Sequence, residues 1–168
     1  DAMDEPLPWV HDSAAPASPP ASAEAAPPAP EPEHYDVFLS YSRRDGAIMR
    51  RLLKDLRRAG VMVWTDEHLA PGTNSWVQAI ESALRASSVL IVLLTPNSKA
   101  SSFVEKEILT AQAHRIPVIP LLAVGDEKSA VPILLQNVQW GDIRSEALYR
   151  KNTVKLIQRL RTLRKKSY

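Results

Sequence analysis

The chain has 168 residues, 45% of them hydrophobic and 24% charged, the balance of one ordinary globular domain with a core and too little chain for two. It contains no cysteine, which excludes disulfide frameworks, zinc–thiolate sites, iron–sulfur clusters and thiol nucleophiles, and no apolar run approaches the roughly 18 residues of a membrane span. The formal net charge of +2 hides three zones: −7 over residues 1–33, +1 over 34–149 and +8 from Arg150 to Lys166.

Nine of the 14 prolines fall in the first 32 residues, and Ser13–Glu33 is almost wholly Ala, Pro, Ser and Glu. Such a stretch buries too little apolar surface to offset its ordering entropy, so residues 1–33 are predicted to be a disordered acidic Pro/Ala-rich linker. Proline stiffness gives its Pro-rich part a reach of roughly 65 Å, that of a spacer to a domain upstream. The start lacks a basic segment followed by an apolar core, so no signal peptide is read and a cytoplasmic setting is expected.

The folded domain is expected over residues 34–168. Tyr35 to Ser40 is a short run of β-formers and predicts the first strand. Asp45 is expected to open a helix whose Ile48, Met49, Leu52, Leu53 and Leu56 recur at three- and four-residue spacing, with Gly60 as its stop. Val61–Trp64 reads as a second strand, Asp66–Asn74 as a loop, and Trp76, Ile80 and Leu84 mark a second helix. Val89–Leu94 is apolar at every position, the pattern of a strand covered on both faces. Ser102–His114 is the third helix, with Ser102 and Glu105 read as its capping box. Pro117–Val124 and Val138–Trp140 are the last strands, and Val154, Ile157, Leu160 and Leu163 are expected to form the buried stripe of a closing helix.

Strands alternating with helices on short links define an α/β domain with a parallel sheet. Right-handed crossovers and five strands favour a flavodoxin-like three-layer sandwich with strand order 2-1-3-4-5. In that architecture ligands bind beyond the carboxyl ends of the strands, at the switch point between strands one and three. Ser40, Tyr41 and Arg43, then Asp66, lie at those ends, and Phe103 and Glu107 share a helix face toward the same rim. The five glycines form neither a dinucleotide fingerprint nor a phosphate loop, no nucleophile elbow occurs, and the four histidines have no metal-ligand spacing. A phosphoryl-accepting receiver is excluded because strand one ends in Ser–Tyr and strand three in Thr–Pro, with no lone aspartate to phosphorylate. The basic closing segment reads as a solvated face, with no nucleic-acid or membrane role assigned to it.

Three segments in order resemble the boxes of Toll/interleukin-receptor (TIR) domains: Tyr35–Tyr41, the loop from Asp66 through Pro71–Gly72, and Ser101–Ile108. Trp76 after Pro–Gly is more similar to prokaryotic members, and Phe103 stands where many members carry Trp. The resemblance implies that Glu107 is the catalytic glutamate of an NAD+ glycohydrolase. Such an enzyme releases nicotinamide and ADP-ribose or a cyclic form, with NAD+ as substrate and no cofactor or metal. On this reading Phe38, Ser40, Tyr41, Arg43, Asp66, Trp76 and Phe103 bind substrate, Arg43 meeting the pyrophosphate. Leu69, Pro71 and Gly72 form a loop that docks on other copies of the domain. The resemblance further implies an effector in immune or defence signalling, clustered by an upstream sensor domain. The alternative is a non-catalytic homotypic adaptor that assembles through the same loop.

Overall fold

The fold grows from β1 (Tyr35–Ser40), whose side chains alternate between two buried faces. The computed structural model describes residues 34–69 and 76–166, so the predicted linker, Pro71 and Gly72 lie outside the described residues. A 3-10 turn at Arg43–Asp45 leads from β1 into α1 (Gly46–Arg58). After it come β2 (Val63–Trp64), a 3-10 turn at Asp66–His68, α2 (Trp76–Arg85) and β3 (Ser87–Leu94). The chain continues through α3 (Pro96–Lys99), α4 (Ser102–Ala113), β4 (Val118–Leu122), α5 (Glu127–Ala130), β5 (Gly141–Asp142) and α6 (Glu146–Lys166). All four strand pairings are parallel and the order is β2-β1-β3-β4-β5, as expected.

Two cores cover the sheet. Val37, Leu39, Val89, Ile91 and Leu93 point to the face packed by α1 (Met49, Leu52, Leu56) and α6 (Leu156, Leu160). Phe38, Trp64, Leu90, Val92 and Leu94 point to the other, packed by α2 (Leu84) and α4 (Val104, Ile108, Ala111). Each fully buried side chain of this kind contributes about 1.5–3 kcal/mol over an exposed one. β3 has five pairs with β1 and five with β4, which explains why its whole run is apolar.

Helix boundaries follow local chemistry. α1 ends where Gly60 takes φ +80°, with Gly60 N donating to Arg57 O and Val61 N to Leu56 O, a left-handed stop that glycine permits without strain. Asp45 does not cap α1. Its carboxylate turns inward to accept from Thr95 Oγ1 and from Asn97 Nδ2 at 2.9 Å, and Ser42 caps the preceding turn instead. The cap of α4 is Ser101, whose Oγ accepts from Val104 N at 3.3 Å, so Glu105 is an exposed helix residue rather than half of a capping box.

Four other expectations shift. The paired part of β2 is only Val63–Trp64, because the Asp36 carboxylate takes the Met62 N–H at 2.8 Å in place of a backbone acceptor. The last strand is Gly141–Asp142, not Val138–Trp140. Val138 N is still bonded back to Leu135 O in a turn, and Val138 and Trp140 are half-buried plugs against the second core. On α6 the buried face is Tyr149, Thr153, Leu156 and Leu160, while Val154 is 56% exposed. That stripe carries a tyrosine and a threonine, which an apolar pattern passes over. The short helices α3 and α5 were also not expected; Thr95–Ser98 and Asp126–Ser129 form reciprocal capping boxes that fix a single turn each.

Candidate active site

The carboxyl ends of β1 and β2 and the first turns of α2 and α4 enclose a crevice of about 830 Å³, within the range of ordinary ligand pockets. Glu107 enters it from α4, one turn after Phe103 and on the same face. Val104, Ile108 and Ala111 hold that helix against the sheet, so the backbone carrying Glu107 is fixed by the core. Ser40, the last residue of β1, projects to the same side of the sheet as Phe38 and lies beneath the Glu107 carboxyl.

Glu107 Oε2 is sealed from solvent without a hydrogen-bond partner, and so is Ser40 Oγ. The two groups are near enough to interact but do not close a bond of good geometry. Burial pushes the Glu107 carboxyl up to about 7, the Ser40 hydroxyl offsets part of that shift, and the negative charge of Asp66 adds to it. A carboxyl in this state is half ionised near neutrality, with one oxygen sealed against Ser40 and the side chain as a whole bordering the crevice.

Around it the polar groups are tied. Tyr41 Oη donates to Asp66 Oδ1 at 2.7 Å, and burial, then this bond, pushes the phenol far above its ordinary range. Arg43 Nε donates to Asp66 Oδ2 at 3.4 Å, and its guanidinium lies 6.0 Å from the Trp76 ring centroid. Trp76 and Phe103 meet edge to face with centroids 4.7 Å apart. Phe103 remains 51% exposed, so its free face is available to a planar ligand.

Of the residues predicted for the site, Glu107, Tyr41, Arg43, Asp66, Trp76 and Phe103 line this one crevice, whereas Ser40 is buried beneath Glu107 and does not line it. Nor does Phe38. It is 1% exposed and stacked on Trp64 at 4.6 Å, because it sits one strand repeat below Ser40, inside the core. Leu69 is half-buried against the second core while lining the crevice, rather than standing free at a loop tip. Sequence reasoning assigned no site role to Ser42, Arg44, Gly46, Arg50, Glu67 and Ser101, which complete the wall. The four-residue spacing of Gly46 and Arg50, which places a long side chain over a residue lacking Cβ, was the available signal. Among the described residues no three His, Asp or Glu side chains gather in a metal-holding group.

The family model for the TIR domain matches residues 37–160, and the chain belongs to that family. Over 76 residues it is 32% identical to the NAD(+) hydrolase TcpC of Escherichia coli O6:H1, a match covering 45% of this chain and 25% of that protein. The chain thus spans about a quarter of the curated relative it matches. In fold it is similar to the TIR domain of the Toll-related receptor TRR-2 of Hydra magnipapillata, with a TM-score of 0.66 and 23% identity over 76% of this chain and 98% of that one. It is also similar to the TIR domains of the activated Roq1 resistosome, with a TM-score of 0.57 and 18% identity over 76% and 98% of the two chains. No described helix is long and apolar enough to cross a membrane.

Proposed function

We propose that this TIR domain cleaves the nicotinamide–ribose bond of NAD+, releasing nicotinamide and ADP-ribose or a cyclic form, with Glu107 as its catalytic residue. The observation that carries the reading is the unpartnered, sealed Glu107 Oε2 beside an open crevice with an aromatic wall. The 76-residue similarity to a bacterial NAD(+) hydrolase supports it.

The chemistry follows from the bond that breaks. As the ribosyl carbon parts from the nicotinamide nitrogen, the bonding pair moves to that nitrogen and neutralises the pyridinium. Positive charge grows on the sugar, as in glycoside cleavage. An ionised Glu107, its carboxyl largely withdrawn from solvent, stabilises that charge, an effect typically worth ~10²–10³ in rate. The cationic substrate itself favours the ionised form of a carboxyl poised near 7. Water, or a hydroxyl of the same molecule for a cyclic product, then bonds to the ribosyl carbon and gives up its proton. Because the leaving group departs neutral, the reaction needs no acid to protonate it. The free face of Phe103, braced edge to face by Trp76, receives the planar end of the substrate.

The same proposal includes activation by self-association and service as an effector in defence signalling, gated by an upstream sensor within the cytoplasm. The test is nicotinamide release from NAD+ by concentrated domain, wild type against Glu107→Ala. Release by wild type and its loss in the variant support the reading. Equal release by both removes Glu107 from its role, and no release at any concentration turns the reading to a homotypic adaptor.

A further inference from the structure

The turn after β1 lends the crevice an almost unbroken run of residues, Tyr41, Ser42, Arg43, Arg44 and then Gly46. Asp45 stands inside that run and turns the other way. It is 7% exposed, and its carboxylate accepts from Thr95 Oγ1 and from Asn97 Nδ2, the latter at 2.9 Å. These partners lie 50 and 52 residues further along the chain, where β3 ends and α3 begins. That is the switch point between β1 and β3, the place where this fold class offers a ligand crevice. Here it is filled by protein. Thr95 is fully buried, and its Oγ1 accepts from Ser98 N at 3.0 Å while giving its own proton to Asp45. The open space lies one strand over, at the ends of β1 and β2. Asp45 N donates to Ser42 O at 2.8 Å, so the residue that reaches β3 also closes the turn that walls the crevice.

We infer, on the footing of the NAD+ reading above, that Asp45 is a positioning residue of the candidate active site. By bonding across the switch point to Thr95 and Asn97 it fixes how the Tyr41–Arg44 turn faces the substrate, and so sets the affinity of the crevice. The turn is held from two sides. Asp66 takes Tyr41 and Arg43 from the β2 side, at 2.7 and 3.4 Å, and Asp45 anchors it from the β3 side. Hydrogen bonds to a carboxylate are stronger than neutral ones, and burial removes the water that would compete for them. Glu107 comes from α4, which the second core holds independently of this turn. Loosening the turn therefore moves one wall and leaves the catalytic group in place. Contacts made by such a wall act on bound substrate and transition state alike, so their loss raises KM and spares kcat. A misplacement of about 1 Å is enough to be felt.

The test exchanges donor and acceptor. Asn97→Asp sets a second carboxylate against Asp45 and breaks the bond at pH 8. Adding Asp45→Asn to that variant restores a donor–acceptor pair in the opposite sense and keeps an oxygen for Thr95. Asn97 is only half-buried, which favours folding of both variants, and denaturant midpoints check it. Nicotinamide release from NAD+ and hydrogen exchange of the amides of residues 41–46 are measured on wild type, single and double variant. The expected result for Asn97→Asp is a KM about tenfold higher, kcat within threefold, and faster exchange of the turn; the double variant returns KM to within twofold of wild type. An unchanged KM in Asn97→Asp overturns the inference even where stability falls, and so does a raised KM that the double variant does not restore. A wild type that releases no nicotinamide removes the glycohydrolase reading. Faster exchange in the single variant, reversed in the double, then leaves the positioning of the turn by Asp45 standing, and unchanged exchange overturns that as well.

Discussion

Among the described residues one tyrosine–aspartate pair lies at the strand ends and another between the helices of the opposite layer. Tyr41 Oη donates to Asp66 at 2.7 Å, and Tyr149 Oη donates to Asp55 at 2.6 Å, tying α6 to α1. Burial and then the carboxylate bond push both phenols far above their ordinary range. Each has an arginine against an aromatic ring, Arg43 near Trp76 and Arg51 3.7 Å from the Tyr149 centroid. Each also has a nearby buried hydroxyl without a hydrogen bond, Ser40 Oγ and Thr153 Oγ1.

The pairs differ in the next acid outward. Beside Tyr149, Glu146 receives Arg51 Nη2 on both oxygens, at 2.9 and 2.8 Å, and these bonds lower its carboxyl below the usual range. Beside Tyr41, Glu107 has an oxygen with no donor and a carboxyl raised toward neutrality. A network with its charges satisfied is a strut between two helices. The same arrangement with one charge left unsatisfied holds free energy that a ligand can release.

That contrast can be broken most severely through activity. Glu107→Gln keeps the shape of the side chain and is expected to lower nicotinamide release by ~10²–10³. Asp55→Asn at the other pair leaves release within twofold of wild type. An equal loss in both variants would mean that the two pairs act through the fold alone.

Stability sharpens the contrast in the opposite direction. The raised carboxyl means that folded Glu107 still binds a proton between pH 4.5 and about 7, where the unfolded chain has lost it. Stability therefore declines as pH rises across that window, and the cost is full above it. Glu107→Gln removes the cost, so the variant is expected to be more stable than wild type by on the order of 1–3 kcal/mol at pH 8 and by much less at pH 5, read from denaturant midpoints. A variant less stable than wild type at pH 8 would show that Glu107 is a satisfied structural group.

The smallest effects separate the phenols. Tyr149→Phe leaves the Asp55 carboxylate short of a donor and is expected to cost about 1 kcal/mol of stability with no change in kcat. Tyr41→Phe frees Asp66 beside the crevice and is expected to lower kcat/KM about fivefold at a similar cost in stability. Denaturation curves and steady-state kinetics on the two variants check this, and a reversed pattern would exchange the roles of the two pairs.

The sheet order could be read in advance because β3 is apolar at every position and its neighbours are joined by helical crossovers of right length. The rim could be read because strand ends and helix starts follow from that order, which brought Glu107, Tyr41, Asp66, Trp76 and Phe103 together. Depth along a strand could not. Phe38 and Ser40 share a face and both are buried, and only packing shows that the first stacks on Trp64 while the second lies under Glu107. On α6 the polar groups of Tyr149 and Thr153 hid the buried stripe, and a two-residue edge strand at Gly141–Asp142 has no periodicity to detect. The α1 side of the crevice was missed because Arg44 sits in a short turn and Arg50 on an exposed helix face, where cations carry no distinguishing pattern until the glycine four residues before Arg50 is noticed.

The most direct test of the central claim, that an unpartnered Glu107 acts in its ionised form, is the pH profile of kcat/KM for NAD+ cleavage by wild-type domain. That quantity reports the free enzyme, in which the carboxyl is raised to about 7. The account predicts a rise of about tenfold per pH unit below that value and a plateau above it. A rate that is level from pH 5.5 to 8.5, or that falls as pH rises through 7, contradicts it.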